Sequence, residues 1–251
     1  MISSNKKLIL FILAIFGGVA IVYAQTNGII KYEIGISAGV FVYQGDLTPS
    51  RLGSYRTMKP GFGIFGSKIL NNALALRGNF SIGNLKGDES KYTKPDFRQQ
   101  RNFNFRSPLI ELTAQLVWNP LSTNYSDKGF SPYAFGGGGF SLLKVKRDWS
   151  KLNAEYFGAT SSTITGLATD QQTTPPRLIP VVPMGVGIRY NFSSKFSAFA
   201  ESSYRLTFTD YLDGFSKAAN PDLQDHYLSH IVGIIYRIGK KNTMDCPVVR
   251  H

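Results

Sequence analysis

The sequence predicts an all-β fold, an eight-stranded antiparallel transmembrane β-barrel with short periplasmic turns and long extracellular loops. Three observations predict it. Hydrophobic residues make up 43% of the 251 residues and aromatic residues 13%, a composition that argues for a folded chain and against disorder. Beyond residue 25 no window approaches the 18 apolar residues of a membrane-spanning helix. What recurs is period-two alternation, in eight segments of about 9 to 13 residues, matching the roughly 9 to 11 that a tilted bilayer-crossing strand requires. A soluble sandwich or lipocalin-type barrel shows the same period with its apolar side chains turned inward. The joins separate the two cases, because here they alternate short and long.

Residues 1–24 read as a secretory signal peptide. Lys6 and Lys7 are its positive start, Leu8 to Phe16 its apolar run, and Val22-Tyr23-Ala24 its cleavage triplet. A permanent anchor is the competing reading, but the run is shorter than the ~20 residues a spanning helix needs. Cleavage leaves residues 25–239 for the barrel and residues 240–251 as a tail. It removes two of the 28 basic residues and none of the 16 acidic ones, so the net charge of +12 becomes 26 minus 16, or +10. An exported basic chain does not meet chromosomal DNA, so nucleic acid is excluded as a partner and envelope lipid, including lipopolysaccharide, is favoured.

The first strand, residues 32–44, sets Tyr32, Ile34, Ile36, Ala38, Val40 and Val42 against Glu33, Gly35, Ser37, Gly39, Phe41 and Tyr43. The second, residues 62–70, is glycine-rich, and Phe62, Ile64 and Phe65 do not fall on one face. In the third, residues 74–85, Leu74, Leu76, Phe80 and Ile82 oppose Arg77, Asn79, Ser81 and Gly83. The fourth, residues 106–118, opposes Ile110, Leu112, Ala114, Leu116 and Trp118 to Glu111, Thr113 and Gln115. The fifth, residues 132–145, carries Gly136 to Gly139, read as a strand that a large inner side chain crosses, because the aromatic pattern continues on both sides. In the sixth, Pro183 cannot donate to a ladder, so regular pairing is expected from Met184, with Arg189 and Asn191 on the polar face. The seventh, residues 196–208, turns Glu201 and Arg205 to its polar face, and the eighth, residues 228–238, turns Arg237.

Asn71-Asn72 and Ser193-Ser194 are short joins, and residues 119–131 form a longer one on the same side with turn formers at its ends. The opposite side carries residues 45–60, 86–105, 146–180 and 209–226. An even strand count then places both termini in the periplasm of an integral outer-membrane protein. Tyr32, Trp118, Tyr190, Phe192, Phe196 and Tyr236 gather near the short-turn ends, where an aromatic girdle belongs.

With the apolar face outward, Glu33, Arg77, Glu111, Arg189, Glu201, Arg205 and Arg237 point into the lumen, with Asn79 and Gln115. An eight-stranded barrel is just wide enough for side chains to fill. The expectation is a salt-bridged plug rather than a conducting path, because unpaired buried charge is costly. The basic loop 86–106 reads as a solvated surface facing phosphorylated lipid, and Asp210, Asp213, Asp222 and Asp225 as solvated acids lacking the spacing of a calcium loop. His226 and His230 could share a face but have no motif around them, and Gly136 to Gly139 is not followed by the Lys and Ser/Thr of a phosphate loop. One cysteine and three histidines leave little for metal chemistry. No catalytic residue, cofactor or metal is expected.

The closing segment includes Lys240, Lys241, Asp245, Cys246 and Pro247, and its Cys246, alone in an oxidising compartment, is either paired with another protein or a free thiol. The run Glu33 to Gly39, the phrase Tyr43-Gln44-Gly45-Asp46-Leu47, then Pro60-Gly61-Phe62-Gly63, Thr209-Asp210-Tyr211-Leu212-Asp213 and Asp245-Cys246-Pro247 together resemble the PorG-like outer-membrane barrel subunit of the type IX secretion system of Bacteroidetes. The resemblance spans nearly all of the mature chain. It implies a non-enzymatic subunit of a protein-export machine that in some species also serves gliding. It further implies that the periplasmic turns and the tail grip a periplasmic ring made of a lipoprotein and its partner. A small surface barrel that binds a ligand or host through its long loops is the alternative.

Overall fold

The computed structural model describes residues 30–50, 53–220 and 224–239. The expected signal segment, the tail with Lys240, Lys241, Asp245, Cys246 and Pro247, and Asp222 lie outside the described residues. The strands are β1 (Ile30–Gln44), β2 (Lys59–Ile69), β3 (Leu74–Asp88), β4 (Asn104–Trp118), β5 (Gly129–Leu143), β6 (Lys146–Asp148), β7 (Leu178–Asn191), β8 (Phe196–Thr207) and β9 (His226–Gly239). All pairs are antiparallel, in the order β3-β2-β1-β9-β8-β7-β5-β4, and β3 pairs with β4 to close the ring. The barrel therefore has eight strands, and β6 is a three-residue extension on the loop end of β4.

The alternation decides which face is out. Ile36, Leu112, Val186 and Val232 are each more than 60% exposed, whereas Glu33, Arg77, Glu111 and Ser141 are buried between them in the register. In water so wide an exposed apolar surface would be an aggregation hazard; in lipid it is the favourable arrangement. Tyr32, Trp118, Tyr190, Phe192, Phe196 and Tyr236 are all outward and exposed toward the short-turn end, where Phe196 packs on Tyr236 and Tyr190 on Phe192. The mixed face of the second segment resolves simply. Phe62 and Ile64 turn outward, and Phe65 turns inward to meet Phe199 edge-on at 5.5 Å.

Four expectations need correction. Pairing of β7 begins at Leu178 rather than at Met184, with Pro180 and Pro183 inside the strand. The ladder with β5 lapses between the pairs Gly136–Met184 and Gly139–Val181, and the missing proline N–H falls in that gap. The glycine run is a continuous strand, but a Cβ on Gly137 would lie 2.0 Å from the Ala114 carbonyl oxygen, so it admits the neighbouring backbone rather than a side chain. A large inner side chain does cross a glycine on β7, where Tyr133 occupies the space a Cβ on Gly187 would need.

The other two concern the loops, which are not simply solvated. They contain α1 (Phe97–Arg101), α2 (Ala154–Phe157) and α3 (Ser162–Gln172), the last capped by Ser161 Oγ, which accepts from Ile164 N at 3.3 Å. Leu47, Phe103, Leu167, Leu212 and Phe215 from four loops bury themselves against Phe41, Leu85, Phe105, Leu109 and Tyr227 of the strands. Within this cap Arg98, Arg101, Asp213 and Asp225 are buried, against the expectation of solvated basic and acidic loops. Each is held by a partner that the local sequence does not indicate.

Candidate functional site

Three layers of ion pairs fill the lumen, and each comes from period-two placement on strands far apart in sequence. Nearest the short turns, Glu33 receives a two-pronged contact from Arg189, at 2.8 and 3.0 Å, with Arg237 Nε at 3.7 Å. Above it Arg77 donates to Glu201 at 2.5 Å, which also accepts from the Tyr133 hydroxyl at 2.7 Å. The Arg77 guanidinium lies 4.4 Å over the Phe65 ring, so its flat faces are covered by aromatics while its edge is hydrogen-bonded. Higher still, Arg205 contacts both Glu111 oxygens, at 3.2 and 3.3 Å, and donates to Ser203 and Ser229. The Tyr227 hydroxyl donates to Glu111 at 2.6 Å and is 2.8 Å from Ser141.

Glu33, Arg77, Glu111, Arg189, Glu201, Arg205 and Arg237 are thus all buried and ion-paired. Asn79 and Gln115 are buried beside them, with Gln115 donating to Thr113 at 3.1 Å. The join of residues 119–128 folds across the short-turn end. Arg237 donates to the carbonyls of Asn124 and Ser126 at 2.6 and 2.8 Å, Asn191 donates to Ser126 O at 3.0 Å, and Asn124 donates to Asn71 O at 2.9 Å. Arg237 therefore serves both the lumen and the end closure.

The loop end is closed differently. Glu89, fully buried, accepts from Arg98 at 2.9 Å, from Arg101 at 2.9 and 2.6 Å, and from Phe103 N at 3.2 Å. Asp170 of α3 accepts from three successive backbone amides of the last loop, Ser216, Lys217 and Ala218, at 2.9 to 3.1 Å. The Tyr43 hydroxyl lies 2.7 Å from Asp213 and 2.6 Å from Asp225. A phenol has one proton to give, so holding both carboxyls this close requires that one of them carry a proton and donate back. Burial raises both carboxyls well above their ordinary 3.8, which supplies that proton. Asp46, also desolvated, is pushed up to about 7.

Sequence reasoning missed Glu89, Asp170, Asp46 and the three tyrosines. Tyr43 stood on the right face, but nothing local marks Asp170 as the hub of another loop. His226 and His230 both face outward: His226 Nδ1 accepts from Thr207 N at 3.3 Å, and His230 Nε2 is 2.9 Å from the Tyr55 hydroxyl. Each has its own partner. Among the described residues no group of three or more His, Cys, Asp or Glu is gathered as a metal ion would need.

The family described as "Domain of unknown function (DUF6089)" matches residues 6–235. The chain belongs to this family. No curated protein matches the sequence. Among solved structures, this DUF6089 chain is similar to Ail, the attachment invasion locus protein of Yersinia pestis, solved with the heparin analogue sucrose octasulfate, at 16% identity and a TM-score of 0.44 over 83% of this chain and 99% of that one. It is similar to Neisserial surface protein A at 11% identity and 0.41, over 82% and 97%. The outer membrane protein OprG from Pseudomonas aeruginosa gives 10% and 0.40, over 84% and 98%. The eight-stranded architecture itself rests on the pairing register of this chain.

Proposed function

We propose that the chain is a non-enzymatic outer-membrane barrel subunit of a protein secretion machine of the type IX kind. In this reading the barrel holds position in the membrane while its periplasmic turns and tail anchor a periplasmic ring of a lipoprotein and its partner. One observation supports the reading: the seven lumen residues Glu33, Arg77, Glu111, Arg189, Glu201, Arg205 and Arg237 are all spent on internal ion pairs. A barrel whose interior is consumed in this way has its ends and its wall left for function. The phrases from Glu33 to Leu47 and around Asp245-Cys246-Pro247 are among those in which the chain resembles the type IX barrel subunit, and that resemblance favours a part in secretion.

Deleting residues 240–251 should release the partner assembly in a pull-down from solubilised outer membranes while the barrel stays folded. Adding reductant should weaken capture if Cys246 is the link. Unchanged co-purification of the truncated chain counts against the reading. The folded cap favours a second one, a surface barrel that recognises a ligand through its loops, since four loops share one buried core. Shortening α3 and its flanks should then abolish surface binding and leave secretion intact.

A further inference from the structure

Lys86 on β3, Arg106 on β4 and Lys146 on β6 stand directly opposite one another in a single row across three adjacent strands. On all three strands this row continues the outward side of the alternation: the rungs below it are Asn84–Pro108 and then Ile82–Ile110, with Leu142 of β5 beside Ile110. The cations therefore sit two rungs beyond the apolar belt, on the loop side, at the height where hydrocarbon gives way to headgroups. Like charges facing each other across strands are destabilising unless an anion lies between them. The next rung outward supplies two acids, Asp88 and Asp148. Asp88 pairs with Lys86 at 2.9 Å, and Asp148 accepts from Ser150 N and Asn104 instead. Among the described residues Arg106 and Lys146 have no acidic partner, and both are exposed.

We propose that this rung binds the phosphate of a membrane lipid headgroup in the leaflet on the loop side. The Arg106 guanidinium offers planar paired donors to phosphate oxygens, with the Lys146 ammonium beside it in the row and Lys86 held by Asp88 on the other side. The chemistry fits an anion rather than a neutral sugar, because the row consists of donors only. Its height beside the belt fits an anion carried on acyl chains rather than one free in solution. The inference rests on the belt facing lipid, and it is independent of any periplasmic partner.

The test uses the full chain in phosphatidylcholine nanodiscs doped with bisphosphorylated lipid A, in parallel with the dephosphorylated form, and measures lipid retained per barrel after a detergent wash. Arg106→Gln should lower retention of the phosphorylated lipid roughly fivefold, and the Arg106→Gln, Lys146→Gln double variant roughly 25-fold. Lys68→Gln, an outward cation at the short-turn end, should leave retention unchanged and controls for loss of charge alone. Heat-shifted gel mobility checks that each variant is folded. Equal retention by the wild type and the double variant overturns the proposal, as does equal retention of the dephosphorylated lipid. Full displacement by a few millimolar inorganic phosphate overturns the lipid as the source. Failure to enter the nanodisc overturns the lipid-facing belt and the rung together, whereas entry without selective retention overturns the rung alone.

Discussion

The two ends of the interior solve one problem, how to fill a barrel, with different chemistry. The strand-lined lumen uses charge: arginines from β3, β7, β8 and β9 meet glutamates from β1, β4 and β8, with tyrosines completing the carboxylate shells. The loop-lined cap uses apolar side chains, with Phe103 stacked on Phe215 at 4.4 Å, and a few buried acids that organise loop backbone. The reason lies in the secondary structure. A strand in a barrel has its backbone satisfied by its neighbours, so its inner side chains need only satisfy each other. Loop backbone has no ladder, so Asp170, Glu89 and Asp225 must supply acceptors for its amides.

The largest effects should come from breaking charge in each region, and they should differ in reach. Glu33→Gln leaves Arg189 and Arg237 without their carboxylate, and removing one partner of a buried pair costs about 3–5 kcal/mol. Because the contact ties β1 to β7 and β9, the loss should lower the urea midpoint of the whole barrel, read by heat-modified gel mobility. Glu89→Gln should cost a comparable amount for Arg98 and Arg101, but confined to the cap. Hydrogen exchange should rise in residues 89–103 and 209–220 while the strands stay protected. A global loss from Glu89→Gln would show that cap and lumen are one cooperative unit.

Phe215→Ala comes next. It removes the ring that packs on Phe103 and, edge-on, on Trp149, and a buried Phe→Ala change costs about 3–5 kcal/mol where the site cannot collapse. A cap of loops can collapse more readily than a closed sheet, so the effect should fall at the low end of that range. Loop proteolysis should report it and the strand ladder should not.

Acidity separates the two regions again. Asp213 and Asp225 are held above their ordinary 3.8 by burial, and Asp46 at about 7. A carboxyl whose value is raised on folding binds its proton more tightly in the folded cap than in the opened one. Its contribution is complete below the ordinary value and is lost as pH rises through the folded value. Exchange-corrected protection of residues 209–220 should therefore increase from pH 8 to pH 5, and Asp46→Asn should flatten the part of that slope near neutrality. Protection that falls over this interval would refute the buried-acid account.

What could be read in advance follows the same division. The barrel, its girdle and its inward residues were legible because strand geometry has one period and the register carries it across the sheet: Glu33 and Arg77 occupy inward positions by parity alone. Partner choice was not legible, since nothing in β1 says that Glu33 faces Arg189, which is 156 residues away. The cap was illegible for a stronger reason. Arg98 and Lys94 look alike in a basic loop, yet Arg98 is buried against Glu89 and Lys94 is exposed; only the tertiary path of α1 separates them. Pro183 misled because the rule against proline applies to a paired N–H, and here the ladder lapses where that N–H would be.

The smallest expected effect sharpens the claim that charge, rather than polarity, holds the lumen. Gln115 lies inside the barrel, 3% exposed, and donates to Thr113 at 3.1 Å. Replacing the amide with an apolar group of similar volume gives up one neutral hydrogen bond, whose net worth is about 1 kcal/mol. Gln115→Met should therefore lower the urea midpoint by no more than the equivalent of ~1 kcal/mol. It lies two residues from Thr113 and four from Glu111 on the same inner face, so the local packing is nearly common to all three. A loss approaching that of Glu33→Gln would mean that the polar lumen acts as one connected network, and the ion pairs would then lose their separate standing.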